Sequence, residues 1–135
     1  MNATAPALPL DSLWESIRSQ TRKQAEQEPV LASFLYATIL NHDTLEAALS
    51  FHLANKLDSP ALPAMLVREV IEQAMQADPG ISLAVRADLQ AVSERDSACC
   101  SLVTPFLFFK GFHALQAYRI AHWLWTQKRN SLALF

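Results

Sequence analysis

The sequence predicts an all-α fold, a compact multi-helix domain of about six to eight helices. Three observations predict it. Apolar residues recur at i, i+3, i+4 and i+7 through most of the chain, the spacing with which a helix lays one face on a core. Pro29, Pro60, Pro79 and Pro105 each follow a polar residue, at places where a first helical turn tolerates proline. No comparable run alternates apolar and polar residues with period two. At 135 residues, 51% of them hydrophobic, the chain has enough apolar surface for one modest core without staples.

Met1 to Leu10 has no basic n-region and no long apolar stretch, so it does not read as a signal peptide; residues 1–11 are expected to be a flexible N-terminus and 12–135 the helical domain. The first helix, over 12–27, opens on Ser12-Leu13-Trp14-Glu15, which has the capping-box form of an oxygen-bearing side chain with Glu three residues on. The second, over 29–41, follows Glu28-Pro29 and carries the stripe Leu31, Phe34, Leu35, Thr38 and Ile39. Asp43-Thr44-Leu45-Glu46 repeats the capping-box form before a helix over 44–56, with Leu45, Ala48, Leu49, His52 and Leu53 on one face. After Ser59-Pro60 a helix over 62–77 sets Val67, Val70, Ile71, Ala74 and Met75 against Arg68, Glu69, Glu72, Gln73 and Gln76. Asp78-Pro79 opens a helix over 80–93, and Thr104-Pro105 a short turn over 105–110. The last helix, over 112–128, has Ala114, Ala117, Tyr118, Ala121 and Trp125 on one side and Phe112, Leu115, His122 and Trp123 around it. A helix apolar nearly all round is buried on several sides, so this one is expected to meet another subunit or a further domain. The chain stops at Leu132-Ala133-Leu134-Phe135 in mid-pattern, and 130–135 reads as the start of a linker.

A net charge of −2 gives no global field toward nucleic acid or an acidic membrane. All thirteen acidic residues lie at or before Asp96, and only Lys110, Arg119, Lys128 and Arg129 carry charge after it. That end is either a solvated basic face or a border with an acidic surface or anionic ligand. The two cysteines are the neighbours Cys99 and Cys100, which excludes a disulfide framework and favours a reducing, cytoplasmic setting. The most apolar stretch, Leu102 to Trp125, is broken by Lys110, His113, Arg119 and His122, short of the roughly 18–20 apolar residues of a membrane span. A soluble protein is expected.

No catalytic constellation emerges from the residues themselves. Cys99 and Cys100 lack redox or metal spacing. His42 reads as part of a turn before a helix cap, and His52 as a hydrogen-bonded core histidine. His113 and His122 are nine positions apart and do not share the i, i+4 face of a helical metal site. With Gly80 and Gly111 alone there is no phosphate-cradling loop. Phe106, Phe108, Phe109, Phe112, Trp123 and Trp125 lack interleaved basic residues and read as core or interface rather than base-stacking platforms. Ser93-Glu94-Arg95-Asp96 follows a helix and opens 94–104, the one stretch without a clear period, where binding groups concentrate on a rigid scaffold. From the residues alone Asp96 is a helix cap, a solvated charge or a binding group.

Several stretches carry a family resemblance: Glu28-Pro29-Val30-Leu31-Ala32-Ser33-Phe34, Leu53-Ala54-Asn55-Lys56-Leu57 with Ser59-Pro60, Arg68-Glu69-Val70, and Ala77-Asp78-Pro79. The most specific is the unbroken Lys110-Gly111-Phe112-His113-Ala114-Leu115-Gln116-Ala117-Tyr118-Arg119-Ile120-Ala121-His122-Trp123-Leu124-Trp125. In order and spacing, from about residue 12 to the end, the chain resembles the N-terminal helical domain of bacterial serine O-acetyltransferases.

The resemblance implies an enzyme that moves acetyl from acetyl-CoA to the hydroxyl of L-serine, giving O-acetylserine for cysteine biosynthesis. It implies a left-handed β-helix of hexapeptide repeats after the helical domain, trimers joined by the helical domains into a hexamer, and a His–Asp pair on the β-helix as general base. Neither member of that pair has a matching position here, so no catalytic, cofactor-binding or metal residue is carried over, and the fragment alone is expected to be inactive. One binding residue does carry over: Arg95-Asp96 matches an Arg-Asp pair whose carboxylate serves the amino-acid site. Asp96 would hold the ammonium of serine and of the inhibitor cysteine alike. Ser97 stands where the family usually has proline, and Ser97 to Ser101 departs from the common pattern. The family also binds O-acetylserine sulfhydrylase through a C-terminal tail that has no counterpart here. The alternative is a freestanding helical interaction or regulatory module without activity of its own.

Overall fold

The computed structural model describes residues 11–95 and 101–134. Its elements are α1 (Ser12–Gln27), a 3-10 turn (Pro29–Leu31), α2 (Ala32–Leu35) continued by a π-helical segment (Tyr36–Leu40), α3 (Leu45–Lys56), α4 (Ala64–Ala77), α5 (Pro79–Arg95), α6 (Val103–Phe108), α7 (Lys110–Thr126) and α8 (Asn130–Ala133). No strand occurs among the described residues, in agreement with the all-α expectation.

The helix starts differ from the expected capping boxes in an instructive way. Asp11, not Ser12, caps α1: its carboxylate accepts the N–H of Trp14 at 3.4 Å. A charged acceptor at a helix N-terminus also gains from the helix dipole. Thr44, not Asp43, caps α3, its hydroxyl oxygen accepting the N–H of Ala47 at 3.1 Å. The Glu46 carboxylate accepts from Arg86 across the domain. Pro60 lies not in a helix but in a turn closed by Ser59 and Leu62, each bonded to the other's carbonyl through its N–H at 3.2 Å. The Asp58 carboxylate reaches past that turn to accept the N–H of Ala64 at 2.8 Å, which starts α4 two residues later than expected.

The single helix expected over 29–41 uses three hydrogen-bonding patterns in succession. The π segment inserts one residue per turn and rotates the residues after it about the helix axis. Leu35, Thr38 and Ile39 remain buried, whereas Leu31 and Phe34 of the same predicted stripe are 45% and 41% exposed. Arg18 of α1 donates to the carbonyl of Leu40, where the segment ends.

α3 is the central element. Its whole predicted stripe, Leu45, Ala48, Leu49, His52 and Leu53, is buried. α4 packs against it through Val67, Ile71, Ala74 and Met75, and α1 contributes Trp14 and Ile17. Trp14 also donates its indole N–H to the carbonyl of Asp43 at 3.1 Å, satisfying the one polar atom of a nearly wholly buried ring.

α7 buries a face other than the one picked out by its apolar residues. The buried set is Phe112, His113, Gln116, Ile120 and Leu124. Ala114, Ala117, Tyr118, Ala121 and Trp125 instead lie partly or fully open, Tyr118 at 64%. The polar member explains the choice: Gln116, wholly buried, donates to Asp88 on α5 at 2.8 Å, and Arg119 donates to the same oxygen at 2.9 Å. Two hydrogen bonds to a carboxylate fix the rotation of α7 where hydrophobicity alone leaves it undecided. Arg119 is therefore paired, and no part of a free basic face. The open side of α7 joins Val67, Val70 and α8 in an apolar groove of about 600 Å³. No helix among the described residues is long and apolar enough to cross a membrane.

Candidate functional site

Asp96, Cys99 and Cys100 lie outside the described residues. The scaffold on either side of them is described in full, and its two ends are held in different ways. Before them runs α5, whose Ile81, Val85 and Leu89 are buried. Arg86, in the middle of that helix, donates to Glu46 on α3 at 2.7 Å and closes a second, shorter pair with Asp11 at the head of α1. The guanidinium loses solvent, which pulls its pKa down, but the hydrogen bonds it donates to both carboxylates, with their charge, outweigh that and raise it. Asp11 is held below the usual carboxylate range by its bond to Arg86, and Glu46 is lowered because Arg86 outweighs the cost of its burial. With the Asp88–Gln116–Arg119 link, α5 is tied to α1, α3 and α7.

Beyond the segment comes α6, a six-residue helix. A helix this short does not stand alone, and its end groups need partners. At its N-terminus the side-chain oxygen of Gln20, on α1, accepts the N–H of Leu102 at 3.0 Å and the hydroxyl of Ser101 at 3.1 Å. The Ser101 oxygen in turn accepts the N–H of Val103 at 3.0 Å. At its C-terminus the carbonyl of Phe106 accepts from His113 Nε2 at 2.7 Å and that of Leu107 from His52 Nε2 at 2.8 Å. Carbonyl oxygens only accept, so both rings carry a proton on Nε2. Among the described residues His113 Nδ1 is buried with no hydrogen-bond partner.

The two rings meet edge to face at 5.1 Å, and His52 stacks on Phe106 at 6.1 Å. Burial lowers the pKa of both, more than the carbonyl bonds raise it, with smaller repulsion from Lys56 on each and from His113 on His52. The expected core role of His52 holds, and His113 joins it in the same task. His42 bonds the Ala37 carbonyl at 2.9 Å in the turn expected for it. Among the described residues no group of three His, Cys, Asp or Glu side chains is placed to hold a metal.

Two clefts lie at the C-terminal end of α5. One, about 720 Å³, has Asp88, Arg95, Phe109, Lys110 and Phe112 on its walls; the other, about 340 Å³, is polar, with Ser16, Gln20, Gln90, Ser93 and Glu94. Among the described residues neither assembles a nucleophile with a base. Among the described residues, what the arrangement provides is a fixed platform of α5 and α6 tied to α1, α3 and α7. Gln20 was not singled out by sequence, and no short-range signal marks it, because its partners lie 81 and 82 positions away.

Comparison with known proteins assigns the platform a family. Residues 13–117 match the family model described as serine acetyltransferase, N-terminal. A serine acetyltransferase of Escherichia coli strain K12 is 52% identical over 126 residues, 93% of this chain and 46% of that protein. The crystal structure of the serine acetyltransferase of Vibrio cholerae superposes with a TM-score of 0.89 at 54% identity, covering 91% of this chain and 48% of that one. A serine acetyltransferase solved in complex with CoA and again with cysteine gives 0.89 at 51% identity, over 91% of this chain and 52% and 51% of those chains. The chain thus spans about half the length of the relatives it matches.

Proposed function

The chain belongs to the serine acetyltransferase family, and from that premise we propose that it is the helical N-terminal domain of an enzyme transferring acetyl from acetyl-CoA to the hydroxyl of L-serine. In this reading the domain has two tasks. It contributes assembly contacts to a homo-oligomer, and it supplies one wall of the amino-acid site through Asp96. The base and the acetyl-CoA site belong to the part of the protein beyond these residues, so the 135-residue chain by itself turns over no serine. A serine hydroxyl needs a positioned base near neutral pH before it attacks a thioester, and no such group is assembled among the described residues.

The observation that carries the reading is the match over 13–117, which ends inside α7 and brackets Arg95-Asp96 on both sides. In sequence Asp96 directly follows the helix that Arg86, Asp88 and Leu89 tie into the domain. A carboxylate there receives the ammonium group of an amino acid in a charge-assisted bond. Serine and cysteine share that ammonium and differ only at the side-chain atom, so one residue serves substrate and inhibitor.

The test is Asp96→Ala in the intact protein. Serine KM and the cysteine concentration for half inhibition should rise together, by roughly tenfold to a hundredfold for a lost charge-assisted bond. Unchanged response to both ligands refutes the role of Asp96.

A further inference from the structure

We infer that α6 is a proton-sensitive latch, closed by His52 and His113 while both rings are neutral and released by acid at its C-terminal end before the rest of the domain opens. Its two ends are held by different chemistry. At the N-terminal end the Gln20 amide oxygen takes the Leu102 N–H and the Ser101 hydroxyl, and an amide does not titrate. At the C-terminal end the bonds to the Phe106 and Leu107 carbonyls come from two imidazoles, the side chains that change charge nearest neutral pH. Those imidazoles stand on α7 and α3, and α6, with six residues, is too short to persist as a helix without them.

Each ring already uses its Nε2 proton in the carbonyl bond, so a second proton enters at Nδ1. In the closed domain that site is unfavourable. His113 Nδ1 is buried with no partner among the described residues, and the two rings meet at 5.1 Å, so a double charge would repel itself. The surroundings offer no relief. α2 and α6 present Phe34 and Phe106 to His52 and carry no charged residue. On α3, Glu46 is engaged by Arg86, and Lys56 repels a proton on either ring. On α7, Lys110 is a further cation, Arg119 is bound to Asp88, and Tyr118 and His122 stack on each other. Proton uptake therefore needs water at the rings. The smallest movement that admits it is the departure of α6, whose carbonyls cover the Nε2 edge of both. α3 and α7 are held independently, by the buried Leu45, Leu49 and Leu53 and by the link of Gln116 and Arg119 to Asp88. On departing, α6 unravels and frees the N–H groups of Phe106 and Phe109, bonded in the closed state to the carbonyls of Leu102 and Pro105.

The experiment is hydrogen–deuterium exchange of the intact protein from pH 7.5 to 5.5, corrected for the intrinsic rate at each pH. Mass spectrometry reads it over 103–109 and over α3, 45–56. The α6 segment should be less protected than α3 at every pH. Its protection should fall by about tenfold for each ring that takes a proton only in the open form, about a hundredfold for the pair. In the double variant His52→Gln, His113→Gln, which keeps both N–H donors, the acid loss should vanish while α6 stays the less protected segment. Lys56→Glu, a change at an exposed position, puts an attractive charge by both rings and should shrink the loss without touching either. Equal protection in the two segments throughout means that α6 opens only with the whole domain, and overturns the inference. Level α6 protection in the wild type overturns it as well, and so does an acid loss that survives undiminished in the variants that fold.

Discussion

Acidification from pH 7.5 to 5.5 should destabilise the domain through His52 and His113. Both rings are buried and neutral, each at 6% exposure, and both have pKa values held below the ordinary 6.5, chiefly by loss of solvent. The sign is set by which state binds the proton. The unfolded chain takes up protons near 6.5 and the folded one does not, so the contribution is complete above 6.5 and is lost as pH falls from there toward the folded values. Each histidine that stays neutral in the fold costs about 1.4 kcal/mol over those two pH units, and about 2.7 kcal/mol is the ceiling for the pair. Against a typical domain stability of about 5–15 kcal/mol that is a large fraction.

Asp11 and Glu46 do not blur the window. Their lowered pKa values move their own losses below the ordinary 3.8 and 4.5. Urea unfolding at half-unit steps of pH measures the effect as a falling midpoint at constant slope. The double variant His52→Gln, His113→Gln keeps an N–H donor for each carbonyl and should flatten the profile. A wild-type midpoint that is level from pH 7.5 to 5.5 would refute the reasoning, as would a double variant that keeps the full acid loss.

Other expectations come from single contacts. Arg86→Ala leaves Glu46 half-buried without its partner and cuts Asp11 loose, and should cost about 1–3 kcal/mol in urea unfolding, between the exposed and buried limits for ion pairs. Lys128 has φ of 61° in a Schellman turn, where Lys128 N–H meets the Trp125 carbonyl and Arg129 N–H that of Leu124. Lys128→Gly should therefore raise stability by about 0.5–1 kcal/mol, read as a higher melting temperature. Gly111→Ala meets no atom within 4 Å in the first turn of α7 and should gain about 0.5–1 kcal/mol, whereas a Cβ at Gly80 meets the Asp78 carboxylate oxygen at 3.0 Å and should gain less.

Much of the fold was legible because the helix period is a local property. The stripes of α3 and α4 name the buried residues almost one for one. The range of α1 came out as read, 12–27, but its cap is Asp11 rather than Ser12; both are good caps, and the ion pair that favours Asp11 comes from Arg86, 75 positions away. The π segment left no trace in the pattern, since one added residue still reads as a helix. In α7 two apolar faces overlap, and only the distant Asp88 decides between them. Arg95-Asp96 was picked out only by likeness to a family, and Asp96 lies outside the described residues; Gln20 and His113, which brace α6, were hidden because they reach main-chain atoms far from them in sequence or on another helix.

The contacts that hold α6 have an evolutionary reading. Gln20 binds the Leu102 amide, His113 the Phe106 carbonyl and His52 the Leu107 carbonyl. Apart from the Ser101 hydroxyl, the grip is on main-chain groups, which persist when a side chain changes. Substitutions at Thr104 and Phe108, the positions of α6 outside the core, can thus change side chains without releasing the helix, whereas Val103, Phe106 and Leu107 are buried. The constraint on α6 is therefore shared between its own buried face and the three braces in α1, α3 and α7.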